Sequence, residues 1–116
     1  MSQPVQTQQD LLNYLRNLRS RLLIHDDDIV HLLQGDQGRL HNYELYKASL
    51  DGVIDRLENN LFKTLDQQLA AAAASLTAGT ANLDAELQSL NHAIQLINAF
   101  TAVVDLAVRV VALAAK

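Results

Sequence analysis

The residues best placed to do chemistry together form one seven-residue run, His25-Asp26-Asp27-Asp28-Ile29-Val30-His31. On a helix His25, Asp28 and His31 recur at i, i+3 and i+6, and Asp27 stands one turn before His31. An imidazole and a carboxylate one turn apart can share an ion such as zinc. The signature is thin, however. The chain has no His-Glu-x-x-His, and it lacks the inward-facing Glu-x-x-His pairs that build carboxylate-bridged bundles. Three consecutive acids also point around more than half a helix, as on a solvated face. The expectation is no resident metal and no cofactor, with His25, Asp28 and His31 as the candidate ligands if one binds. His25 fits equally well as a neutral histidine on a packed seam opposite Ala48.

A second group, Asp51, Asp55 and Glu58, puts three carboxylates one turn apart, a spacing that could serve acid–base chemistry. Arg16, Arg19 and Arg21 fall level with them if the first two helices pair antiparallel, so an ion-pair band is expected instead. His41 and His92 have no partner that the sequence assigns, and Tyr43 and Tyr46 are expected to pack at the rim of the first turn. No glycine-rich phosphate loop and no Gly-x-Ser-x-Gly elbow occurs, and the absence of Cys removes thiol chemistry. The chain is therefore not expected to be an enzyme. Its net charge of −4 weighs against nucleic acid, which wants clustered Lys and Arg. The opening MSQPVQTQQD has neither the basic nor the apolar region of a signal peptide, so a cytoplasmic protein is expected.

The elements that carry these residues read as all-α over a single domain, 1–116. Aromatic residues supply only 4% of the chain and one Pro stands at position 4, so the core must be Leu, Ile, Val and Ala. Thr7 with Asp10 forms a shortened capping box, and Leu11, Leu15, Leu18, Leu22, His25, Ile29 and Leu32 follow at alternating spacings of four and three. A first helix over about 7–34 ends at Gly35 and Gly38. A second runs from about 39 to 78 through Tyr43, Leu50, Ile54, Leu57, Leu61, Leu65, Leu69 and Leu76, and Gly79-Thr80 reads as its stop. A third spans about 81–115, with Leu83, Leu87, Leu90, Ile94, Ile97, Val104, Val108 and Val111 on one seam.

From Leu96 a second apolar row joins that seam, Leu96, Phe100, Val103, Ala107, Val110 and Ala114, with Leu106 and Leu113 filling in. An up-down-up three-helix bundle accounts for the widening. Its first two helices align where residue numbers sum to about 73, and its last two where they sum to about 158. The first helix then ends level with about residue 92 of the third, leaving an Ala-rich two-helix end that protrudes. The same alignment sets Asp26, Asp27 and Asp28 level with Lys47, Arg109 and Lys116.

Residues 99–115 are interrupted only by Thr101, Asp105 and Arg109. The run falls short of the ~20 apolar residues a span needs and carries two charges, so packing is preferred to a membrane, which stays possible. The apolar arc is wider than two neighbours cover. The sequence thus points to a non-catalytic interaction or assembly protein, with Leu96, Phe100, Val103, Leu106, Val110 and Leu113 as the interface. A homodimer is the expected form, and a partner helix is the other candidate. The alternatives are a membrane-active or surface-coating protein and a weak metal binder through His25–His31.

Overall fold

The computed structural model describes residues 5–115, and every regular element among them is a helix. These are α1 (Gln8–Ile24), α2 (Asp26–Leu32), α3 (Gln37–Asn59), α4 (Leu65–Ala71), α5 (Ala73–Ser89) and α6 (Ala93–Ala114). The i→i−4 hydrogen bonds continue through His25 and through Ala72, so α1 with α2, and α4 with α5, each form one bent rod. Four rods result, in a body of 43 × 26 × 20 Å.

The first rod starts as its sequence requires. The Thr7 hydroxyl accepts from the Asp10 N–H at 3.1 Å, and the Asp10 carboxylate accepts from the Thr7 N–H at 3.1 Å. The turn after α2 uses Gly35 at φ +87°, where a side chain would be strained. Asp36 then caps α3 by accepting from the Arg39 N–H. The two rods run antiparallel in the expected register, with Arg16 on Glu58, Arg19 on Asp51 and Lys47 on Asp26. Together they form the N-terminal hairpin.

Beyond α3 the structure departs from the three-helix expectation. The expected second helix is interrupted at 60–64, the expected stop at Gly79-Thr80 lies inside α5, and the expected third helix is interrupted at Leu90–His92. Leu90 ends α5 in the left-handed region (φ 50°), a conformation that costs a residue with a Cβ roughly 1–2 kcal/mol. What it gains is antiparallel packing of α4 and α5 along α6, with Gly79 facing Val103. No Ala-rich end protrudes, because the run Ala70–Ala74 belongs to the C-terminal hairpin (α4–α5 with α6).

The two hairpins pack side by side. α3 lies along α6, and α1 reaches α5 through Arg21 and Tyr14, both of which engage Asp84. Both apolar rows of the last helix are buried: Ile97, Val104 and Val111 of the expected seam, and Leu96, Phe100, Val103, Ala107, Val110 and Ala114 beside it, whereas Ile94 and Val108 of the seam are 50% and 38% exposed.

The break at 60–64 has its cause fifty residues away. The Gln8 side-chain amide donates to the carbonyls of Leu57 (3.0 Å) and Asn60 (2.7 Å), and its oxygen accepts from the Phe62 N–H (3.0 Å). These are groups that a helix end leaves without partners. Gln8 supplies them, and the chain can turn out of α3 toward α4.

Candidate functional site

The His25–His31 run sits on the bend between α1 and α2. Its members do not converge: His25 Nδ1 stands 3.9 Å from Asp28 Oδ2, and His31 is exposed on the following turn. Among the described residues no three His, Cys, Asp or Glu side chains come together to hold a metal. His25 is half-buried at the helix junction, and Ala48 opposite is exposed, so the packed-seam placement is corrected as well. The register reason is the bend itself, which carries Ile29 and Leu33, not His25 or Leu32, into the core.

The acid that does find partners is Asp26. Its carboxylate accepts from the Tyr43 hydroxyl at 2.7 Å and from Lys47 Nζ at 2.9 Å, and Lys47 also pairs with Glu44 at 3.2 Å. Lys47 Nζ lies 4.5 Å from the centre of the Tyr43 ring, within cation–π reach. The hydrogen bonds from Lys47 and Tyr43 hold the Asp26 carboxyl below the usual carboxylate range. Tyr43 titrates well above an ordinary tyrosine, first because it is buried and then because its hydroxyl donates to Asp26. Burial by itself would lower Lys47; its hydrogen bonds to Asp26 and Glu44 outweigh that and raise it. A carboxylate so occupied has no free role as a base. The network instead ties the bend of the first rod to α3. Tyr43 is 1% exposed and belongs to the core, not the rim, because its ring meets Phe100 edge-on at 6.0 Å.

The carboxylate ladder on α3 behaves as expected for ion pairs at two positions, Asp51 with Arg19 and Glu58 with Arg16. Arg21 turns away from it to Asp84 on α5 at 2.8 Å, a contact between hairpins that needs the fourth rod and so was not legible beforehand. Among the described residues Arg109 makes no ion pair with Asp27 or Asp28, and Lys116 lies outside them. Asp105 accepts from the Tyr46 hydroxyl at 3.2 Å. His92, at the start of α6, has its Nδ1 3.5 Å from Glu86 Oε1, a buried oxygen that accepts no hydrogen bond among the described residues. A shallow groove of roughly 330 Å³ beside the α1–α2 bend is lined by Arg19, Leu22, Leu23, Asp26, Lys47 and Asp51. All four of its charged groups are already paired with protein partners.

The chain was compared with protein-family models, curated proteins and solved structures. None matches. The site must be read from this molecule's own surface.

That surface corrects the expected interface. Leu96, Phe100, Val103 and Val110 are buried within the chain, at 3% exposure or less, because α3 on one side and the α4–α5 rod on the other cover them. Leu106 remains half-buried and Leu113 is 42% exposed. Gly79 faces Val103 across the antiparallel α5–α6 pair. The outward side of α5 there carries Ala74, Ala78, Ala81 and Ala85, all exposed. From Gln67 to Leu83 no residue is charged. The run Ala70–Ala74, expected in a protruding two-helix end, instead joins α4 to α5 along α6.

Proposed function

We propose that this chain is a non-catalytic helical assembly module, a homodimer by preference, that uses the outer face of its C-terminal hairpin. The observation that carries the reading is the exposed, uncharged alanine ridge Ala74, Ala78, Ala81 and Ala85 on α5. Small side chains let a second helix bring its backbone close. A second copy presents the same ridge and has no charge to desolvate against it. A cytoplasmic setting goes with this reading. The test is sedimentation at micromolar concentration of the wild type and of Ala78→Glu. The expected result is a dimer that becomes a monomer in the variant with its helical circular dichroism unchanged. A wild type that stays monomeric at every concentration overturns it.

One observation favours a second reading, a membrane-active protein. By length and composition α6 could cross a membrane, and half of it is buried inside the bundle. Such a helix can exchange its neighbours for lipid if the bundle opens. Flotation with neutral and anionic liposomes decides it: recovery with the vesicles supports lipid contact, and protein left entirely at the bottom of the gradient removes it.

A further inference from the structure

We infer that the crossover Asn60–Thr64 is a hinge through which two copies of this chain can exchange hairpins. The inference does not depend on the alanine ridge, because it concerns the seam between the hairpins and not their outer surface.

Each hairpin closes on itself: α1–α2 pairs with α3 about the Gly35 turn, and α4–α5 pairs with α6 about the Leu90 turn. Only residues 60–64 join one to the other. The contacts across the seam are specific. Phe100 receives Tyr43 and Tyr46 edge-on at 6.0 and 6.4 Å, Arg21 meets Asp84 at 2.8 Å, and Tyr46 donates to Asp105 at 3.2 Å. A second copy offers the same faces. Exchange therefore keeps every one of these contacts and changes only the path of the crossover.

The crossover is built to be released. Asn60 is already extended (φ −139°, ψ 149°). The segment is held back by the Gln8 amide bonded to Leu57, Asn60 and Phe62, by the Gln8 N–H on Asp66, and by a long contact from the Thr64 hydroxyl to the Ala114 carbonyl. Straightened, its five residues span about 17 Å, enough to carry the chain from the end of one bundle into another stacked on it. Leu61 is the most exposed large apolar residue described, at 81%, and it sits in this segment beside half-buried Phe62. Two straightened crossovers running past each other would cover Leu61 of each copy with that of the other.

The test uses the natural absence of cysteine. A Tyr46→Cys chain and an Asp105→Cys chain are mixed, unfolded, refolded together at high protein concentration and treated with a short bis-maleimide. The expected product is a cross-linked dimer, absent when the two folded proteins are mixed without unfolding. In a Gln8→Ala background its yield should rise about tenfold, the equivalent of one net hydrogen bond lost from the closed form. Ala78→Glu should leave it unchanged, which separates exchange from association through the ridge. Deleting residues 61–63 makes the crossover too short to fold back, so that variant should be wholly dimeric. A folded monomer of the deletion variant, or a refolded mixture without the cross-link, overturns the inference.

Discussion

The N-terminal hairpin joins its rods with leucines and ion pairs, whereas the C-terminal hairpin joins its rods with leucines and small residues. Arg16–Glu58, Arg19–Asp51 and Lys47–Asp26 bridge α1–α2 to α3. Among the described residues no Lys or Arg pairs across α4–α5 and α6; there Gly79 meets Val103, and Ala99, Ala107 and Ala114 are buried. Exposed ion pairs contribute about 0–1 kcal/mol each, so the first hairpin gains register more than stability from them. The second gains area: close approach lets α6 bury apolar side chains on two sides at once. The difference teaches that the charged hairpin specifies how the rods align, while the apolar one supplies the surface on which the other elements settle.

That contrast can be broken at Phe100, where the hairpins meet. Phe100→Ala should cost about 3–5 kcal/mol in urea unfolding, since the ring is 1% exposed and touches both Tyr43 and Tyr46. Leu113→Ala, from the exposed flank of the same helix, should stay within about 0.5 kcal/mol. Equal losses at the two positions would mean that α6 is not the shared support.

A smaller effect separates alignment from packing in the first hairpin. Gly52 lies within α3, and a Cβ there would meet nothing within 4 Å. Gly52→Ala should thus raise stability by about 1 kcal/mol, through helix propensity alone. A loss instead would reveal a partner seated on that face.

The smallest effect sharpens the role of the charged seam. Because the folded pKa of Asp26 is depressed, its contribution is present above the ordinary carboxylate pKa of about 4 and fades as pH falls through the lower folded value. After allowance for solvent screening at a side chain 35% exposed, this amounts to a few tenths of a kcal/mol up to about 1 kcal/mol. Thermal midpoints should decline below pH 4, and Asp26→Asn should flatten that decline while lowering the midpoint at neutral pH. An unchanged acid profile in the variant would show that Lys47 and Tyr43 do not depend on this carboxylate.

Local signals carried the first half of the fold. Thr7 with Asp10, the leucines from Leu11 to Leu22, Gly35 and the arginine–acid alignment fixed the first hairpin, because each acts between near neighbours or along one helix face. The leucine period from Leu50 to Leu69 runs unbroken through residues 60–64, so periodicity does not show the interruption there. For the candidate surface, composition alone revealed the alanine run and the apolar excess of the last helix.

What the sequence determined by itself was an all-helical chain with a charged first half and an apolar second half, since propensity and periodicity are properties of neighbouring residues. Only the tertiary structure decided that there are four rods. Gln8 must arrive from the other end of the first hairpin before the carbonyls at Leu57 and Asn60 have a partner, and Leu90 accepts a left-handed backbone only because α6 then packs against both α3 and α5. The same fourth rod turned Leu96, Phe100, Val103 and Val110 inward. Their burial depends on a neighbour that no local pattern can announce.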